Sequence, residues 1–260
     1  MRWGLTDPQW ALLAADLGFE AFPAPLRVTA LRGATGLDRV RDELADAGLL
    51  RAGRIDADFE DALRVLHRPA AWFDSLWLPQ PGSDALARMV AAGGGSVGVS
   101  ATQHPARPGI TVIEVIGAAG LTAAVVGRLP AERPGRAPAV SVALDAANAR
   151  HDDGRQPDRV LVPGSGARSS PTRDRAAAAT ILDAPHTRAG QIAANVRDPS
   201  GAVHRSALLR WLDNAADGRY QVTYSRRGDR LEICPVDPNR LGDAIQRLHS
   251  TLTGAVTRRW

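Results

Sequence analysis

Several groups of side chains in this sequence are of the types that do chemistry. Asp213, Asp217 and Arg219 lie in the run DNAADGRY. Two carboxylates and a cation so close in sequence are the raw material of an acid–base set. Asp and Asn also favour turns, and Gly218 supplies permissive backbone, so a strand-to-strand turn is the competing reading. The serine in PGSGARSS (163–170) is flanked by glycines. A nucleophile elbow needs G-x-S-x-G between a strand and a helix, and neither the spacing nor the context is met. Cys234, the single cysteine, ends a strand-like run before Pro235. A catalytic thiol would need a base and an electropositive setting, so a small buried residue is the reading adopted. His67, His104, His151, His186, His204 and His249 are scattered, without the H-x-x-x-H spacing of a helical metal site. GAAG (117–120) sits between a strand and a helix, where a phosphate could bind, but lacks G-x-G-x-x-G. GGG (93–95) has no Lys-Ser/Thr after it and reads as a turn or bulge. Arg227-Gly228-Asp229 matches an adhesion tripeptide, yet Gly-Asp between two strands signals a hairpin. None of these makes a convincing enzyme site, and no cofactor or metal is expected.

The bulk numbers are ordinary for a soluble globular protein. The chain has 260 residues, 44% hydrophobic and 23% charged, enough for one large domain or two small ones. Aromatics are few, so Ala, Val and Leu must build most of the core. All 32 basic residues are arginine, which raises the pI although the net charge is only +4. The arginines are interspersed with acids, and the densest basic clusters are pairs such as Arg226-Arg227, so nucleic-acid binding is not favoured. No run of 18 apolar residues occurs, and the N-terminus lacks the apolar core of a signal peptide. A cytoplasmic protein without membrane insertion is the expectation, and a lone cysteine suits that compartment.

The elements that would position these residues follow from periodicity. The first fifty residues read as helices with short links. Thr6 and Gln9 form a capping-box pattern with Pro8 in the first turn. Further helices are expected near 37–47 and from Asp56, the latter burying Phe59, Leu63 and Leu66. After Pro69 the period becomes two. Strands are expected at 71–78, 96–103 and 110–116, while 84–92 is open between strand and helix. A helix follows near 120–128. AVSVAL (139–144) alternates, and 150–172 reads as a linker or surface loop. The pattern then repeats: a helix near 173–183, strands at 187–197, 202–212, 218–225 and 229–234, and a closing helix. That helix starts with Asp237 as N-cap and carries Leu241, Ile245, Leu248 and Leu252 on one face. The fold class is therefore α+β, with two quasi-symmetric halves around a central antiparallel β-sheet and flanking helical bundles. The whole of 1–260 is read as a single domain, its halves about 1–145 and 173–260, joined by a loop over 146–172.

Several segments, in order, resemble the EspG family, the chaperones associated with ESX (type VII) secretion in actinobacteria. They are Trp3, Leu5 and Thr6, then Pro23-Ala24-Pro25-Leu26, then AAVVGRLP (123–130), then Thr187-Arg188-Ala189-Gly190-Gln191-Ile192. The strongest is the run from Asp213 to Gly218-Arg219-Tyr220, followed by two strands, Pro235-Val236-Asp237 and the terminal helix. The resemblance spans nearly the whole chain. It implies a non-enzymatic cytosolic protein that binds a PE–PPE heterodimer at the hydrophobic PPE tip and directs it to its ESX system. A possible homodimer stays open. Because family contact residues vary with partner, no motif position transfers as a contact. Asp213, Gly218, Arg219 and Tyr220 are expected to be structural. Partner contacts are instead expected at Gln103, His104 and Arg107 and at Gln221 and Thr223, polar positions of loop and strand. The competing functions are a small-molecule hydrolase or degenerate nucleotide binder on GAAG, and a basic regulatory or nucleic-acid-binding protein.

Overall fold

The structure is a computed structural model that describes residues 1–28, 36–144, 173–225 and 229–257. Its elements in chain order begin with β1 (Arg2–Thr6), α1 (Asp7–Asp16), α2 (Leu37–Asp46), β2 (Leu50–Arg51), β3 (Arg54–Ile55) and α3 (Ala57–His67). Four longer strands follow: β4 (Ala71–Leu78), β5 (Ala87–Gly94), β6 (Val97–Gln103) and β7 (Ile110–Gly117). A 3₁₀ turn (Ala118–Gly120) leads into α4 (Leu121–Arg128), then β8 (Val140–Ala143) and α5 (Arg173–Asp183). The remainder is β9 (His186–Arg197), β10 (Val203–Arg205), β11 (Leu209–Asn214), β12 (Gly218–Tyr224), β13 (Arg230–Pro235) and α6 (Pro238–Thr257). Antiparallel strands build the sheet of each unit, and helices lie between the strand runs along the chain, so the expected α+β class is observed. Each half reads helix, meander, helix: α3, β4 to β7, α4, and then α5, β9 to β13, α6.

The chain divides into two compact units. Unit 1 comprises Met1–Asp74, Ala87–Val125 and Asn195–His204; unit 2 comprises Ser75–Leu86, Val126–Ala194 and Arg205–Trp260. The strand order runs β1-β7-β6-β5-β4 and β9-β11-β12-β13-β8, with β10 beside β9. In unit 1, β1 pairs antiparallel with β7, Trp3 opposite Ile113 and Leu5 opposite Thr111. Its core holds Leu5, Trp10, Leu13, Leu44, Phe59, Leu63, Leu66, Val90, Val99 and Ile113. In unit 2, β8 pairs antiparallel with β13, and Val140, Val142, Ala178, Ile181, Leu212, Tyr220, Val222 and Ile233 form a second core.

The helix starts are set by side chains named from the sequence. Thr6 Oγ1 accepts from the Gln9 amide at 3.4 Å while Gln9 Oε1 accepts from the Thr6 amide at 3.0 Å, closing the capping box. Asp56 accepts from the Phe59 amide at 3.3 Å, and Asp237 from the Arg240 amide at 2.9 Å. Each such cap contributes about 1 kcal/mol to its helix.

Three expectations need correction. The first fifty residues are not all helical. Trp3 and Leu5 alternate inward in β1, and residues 50–55 form the small β2–β3 hairpin. Residues 202–212 are not one strand: Ser206 turns its amide to the Ala194 carbonyl at 2.9 Å and its hydroxyl to the Ala194 amide at 3.0 Å, ending β10 before β11 begins. Asp213 is a buried strand residue rather than a turn residue. Within the undecided segment 84–92, β5 begins at Ala87, and Gly93 and Gly94 continue that strand up to the turn at Gly95. The linker reading of 150–172 lies outside the described residues.

Candidate functional site

Asp213 is central to a buried polar cluster in unit 2. Strand register places it between two arginines, Arg188 on β9 and Arg219 on β12. Its carboxylate takes a forked pair of bonds from Arg219, at 2.6 and 2.9 Å, and stands 3.3 Å from Arg188 Nε. Arg188 reaches on to Glu132 at 3.0 Å. Asp213 is 0% exposed. A forked guanidinium–carboxylate pair of this kind holds both groups in one geometry. Arg219 Nη2 also donates to the Pro130 carbonyl at 2.8 Å, and its guanidinium lies over the Trp211 ring, 4.5 Å from the centroid.

The residues on either side extend the same structure. Tyr220 donates its hydroxyl to Asp217 and accepts from the Ala137 amide at 2.9 Å. Asp217 also accepts from the Arg136 amide at 2.9 Å. The Tyr220 hydrogen bond, helped by the Arg136 amide, draws the Asp217 carboxyl below its usual range, while burial, reinforced by Asp217, pushes Tyr220 up to about 12. Neither group is therefore poised to exchange a proton near neutrality. Gly218 has φ +117°, and a Cβ there would lie 2.6 Å from the Arg133 carbonyl oxygen. A Cβ at Gly190 would lie 2.6 Å from Trp211. Both glycines allow a close approach that no other residue permits. Together these contacts clamp residues 130–137 across β12, so this cluster is a structural clasp.

The other chemical candidates fare similarly. Cys234 is half-buried, and burial with the nearby Glu232 carboxylate raises its thiol pKa, the opposite of an activated nucleophile. Burial lowers His186 and His249. In unit 1, Asp198 accepts from Ser200 Oγ at 2.6 Å and pairs with His204 Nε2 at 2.7 Å. The serine is bonded to the carboxylate and not to the imidazole, the wrong order for activating a hydroxyl. The His204 bond, then that of Ser200, lowers the Asp198 carboxyl to about 2. Among the described residues no three His, Cys, Asp or Glu side chains converge as a metal site. GAAG forms the 3₁₀ turn before α4. The PGSGARSS serine, His151, Arg226-Arg227 and the Arg-Gly of the RGD run lie outside the described residues.

The five expected partner contacts fall in different settings. Gln103 ends β6 in unit 1, and its amide is occupied within the chain. It accepts from the Arg27 amide at 3.0 Å and donates to the Arg27 carbonyl at 2.6 Å and to Thr111 Oγ1 at 2.9 Å. His104 Nδ1 accepts from the Ala106 amide at 3.2 Å and shapes the β6–β7 turn. Arg107 is exposed at the tip of that turn. Gln221 and Thr223 are half-buried on β12 in unit 2, on the strand face that also carries Arg219. The structure thus groups Gln103, His104 and Arg107 at one turn and Gln221 and Thr223 on one strand.

A feature that the sequence reading passed over is an open groove of about 480 Å³ in unit 1. Ala11, Ala14 and Ala15 of α1 form its floor, with Phe19, Phe22, Leu26 and Val28 as walls. His67 stacks on Phe19 at 4.1 Å and bonds the Ala21 carbonyl at 2.9 Å, holding the wall in place. The signal was the small-residue face of α1 followed by Phe19 and Phe22.

The model of the EspG family matches residues 6–247. The chain belongs to the EspG family. Its fold is similar to that of the Mycobacterium tuberculosis type VII secretion system chaperone EspG5, solved in complex with a PE25–PPE41 dimer. The TM-score is 0.68 at 16% sequence identity, over 95% of each chain. No curated protein sequence matches. As an EspG chain, it carries the run from Asp213 to Tyr220 as the buried clasp described above. No helix among its described residues is long and apolar enough to cross a membrane.

Proposed function

We propose that this EspG chain is a cytosolic chaperone for a PE–PPE-type heterodimer, which it keeps soluble and hands to a type VII secretion system. The observation that carries this reading is the family match over residues 6–247, joined to a whole-length fold likeness to a chaperone solved with such a dimer. The physical logic is that an exposed apolar helix tip is an aggregation hazard until a binder covers it. Release at the secretion system calls for a moderate, partly polar interface. The protein works by binding and not by catalysis. Its acid–base candidates Asp213, Asp217 and Arg219 are committed to holding residues 130–137 in place.

Within this reading, Gln103 and His104 shape the β6–β7 turn that presents Arg107 to the partner, and Gln221 and Thr223 contribute polar contacts from β12. The test is co-expression of the tagged protein with each PE–PPE pair of its genome, followed by size exclusion. A co-eluting stoichiometric complex is expected with at least one pair. Failure with every pair overturns the proposal, and bound nucleotide, substrate turnover or salt-sensitive DNA retention would replace it. Arg107→Glu is expected to weaken the complex; unchanged binding removes Arg107 from the contact surface.

A further inference from the structure

The turn that presents Arg107 is built on an acceptor that a proton can take away. Residues 104–107 form a β-turn in unit 1, closed by the Arg107 amide on the His104 carbonyl at 2.9 Å. Pro105 fills its second position, where a preset φ is favoured. The first position of such a turn usually holds Asp, Asn or Ser, whose side-chain oxygen accepts from the amide two residues on. Here it holds histidine, and His104 Nδ1 accepts from the Ala106 amide at 3.2 Å. An amide or hydroxyl oxygen in that place keeps its lone pairs across neutral pH. An imidazole nitrogen keeps one only while the ring is neutral.

The bond fixes the tautomer, with the lone pair on Nδ1 and the proton on Nε2. Once Nδ1 is protonated it becomes a donor, and two N–H groups face each other. The turn then loses one bond, and the ring must swing away or the turn must open. Arg107 feels this directly, because it is shared between two turns. Its amide belongs to the first, and its carbonyl accepts from the Ile110 amide at 3.2 Å in the second. That second turn runs through Pro108 and Gly109, the latter at φ +71°, and the Gly109 carbonyl accepts from the Asp7 amide at 3.0 Å. Backbone groups do not titrate, so the response to pH enters on the His104 side. The charged residues of the segments that meet here are Arg107 itself, Asp7 at the start of α1 and Arg27. A Cβ on Gly109 would lie 3.8 Å from Asp7 Oδ2, and Gln103 holds the Arg27 backbone. Of these side-chain types, histidine is the one that ordinarily changes charge between about pH 5 and 8.

We propose that His104 makes the presentation of Arg107 proton-sensitive, so that the partner is held while the imidazole is neutral and released as it is protonated. This rests on the reading that Arg107 meets the partner. A proton and the closed turn compete for one lone pair, so acid weakens the complex and binding expels the proton. The tests use the full chain. Nitrogen NMR of the imidazole at pH 8 should find the His104 proton on Nε2. The temperature coefficient of the Ala106 amide shift should be that of a bonded amide at pH 8 and of a solvated one at pH 5. His104→Asn keeps an acceptor in place and does not titrate, so its Ala106 amide should read alike at both. With a co-eluting PE–PPE pair, the parent's affinity should fall about five-fold more than that of His104→Asn between pH 8 and 5, the worth of one such hydrogen bond. A proton on Nδ1 at pH 8 overturns the proposal. So does a parent Ala106 amide that reads the same at both pH values, or an equal loss of affinity in the two proteins. Should His104→Asn not fold, His104→Asp supplies the same kind of acceptor and is read in its place. If no pair binds at pH 8, the function proposed above fails and this inference fails with it. The Ala106 readings need no partner and tell that failure apart from an error in the turn.

Discussion

Replacing Asp213 by Asn tests the clasp most directly. The substitution keeps the side-chain volume and removes the charge. It leaves Arg219, whose side chain is 4% exposed, and Arg188, at 21%, facing a neutral amide. Breaking a buried ion pair by neutralising one partner costs about 3–5 kcal/mol, because the remaining charge stays buried without compensation. For a chain of this size each kcal/mol lowers Tm by roughly 2–4 °C, so a fall of about 6–20 °C is expected. The loss should also be local. Arg219 holds the Pro130 carbonyl through its side chain, and its backbone takes the Gly135 amide at 2.9 Å. Hydrogen exchange should therefore accelerate at Gly135 and Ala137 before it does on β5 or β6. A companion variant, Asp213→Leu with Arg219→Met, removes both charges and should recover part of the loss. A Tm within about 2 °C of the parent for Asp213→Asn would refute the reasoning. So would unchanged protection at Gly135.

Three further outcomes follow from other contacts. Gly190→Ala places a methyl 2.6 Å from Trp211, and the overpacking should cost about 1–3 kcal/mol, read by urea unfolding with tryptophan fluorescence reporting the displaced ring. Gln103→Ala removes the side-chain bonds to both backbone groups of Arg27 and should cost about 1–2 kcal/mol, with exchange rising selectively at the Arg27 amide. Asp198 has a folded pKa of about 2, below its ordinary 3.8, so its stabilisation is complete above 3.8 and is lost as pH falls through about 2. Asp198→Asn should accordingly flatten the acid limb of a Tm–pH curve in that window while leaving its shape above pH 5 unchanged.

Much of the fold was legible because the hydrophobic period switches cleanly. Phe59, Leu63 and Leu66 repeat at helical spacing, and Tyr220, Val222 and Tyr224 alternate as β12 requires. Caps at Thr6, Asp56 and Asp237 are local chemistry, and local chemistry is visible in one dimension. β1 was not legible, since five residues ending in a helix cap offer too short a period and its partner β7 lies far along the chain. The break between β10 and β11 depends on Ser206 meeting Ala194, again a distant pairing. The same holds for function. Asp213 looked like a turn residue because its partners Arg188 and Arg219 lie on neighbouring strands, which only register brings to its flanks. The bonds of Gln103 to Arg27 were equally invisible, because Arg27 is remote in sequence.

The division of the chain has a consequence for its synthesis. Asn195–His204 belongs to unit 1, whose other parts end at Val125. There the Arg197 amide meets the Ala70 carbonyl at 2.8 Å, and its guanidinium meets the Pro69 and Gly201 carbonyls at 3.3 and 3.1 Å. A ribosome translating from the N-terminus has delivered everything through Ala194 before that last piece exists. The earliest-made part of the protein is thus among the later ones to be completed. A nascent chain paused between Val125 and Asn195 should show unit 1 helices already formed but Pro69 and Ala70 still open to proteases.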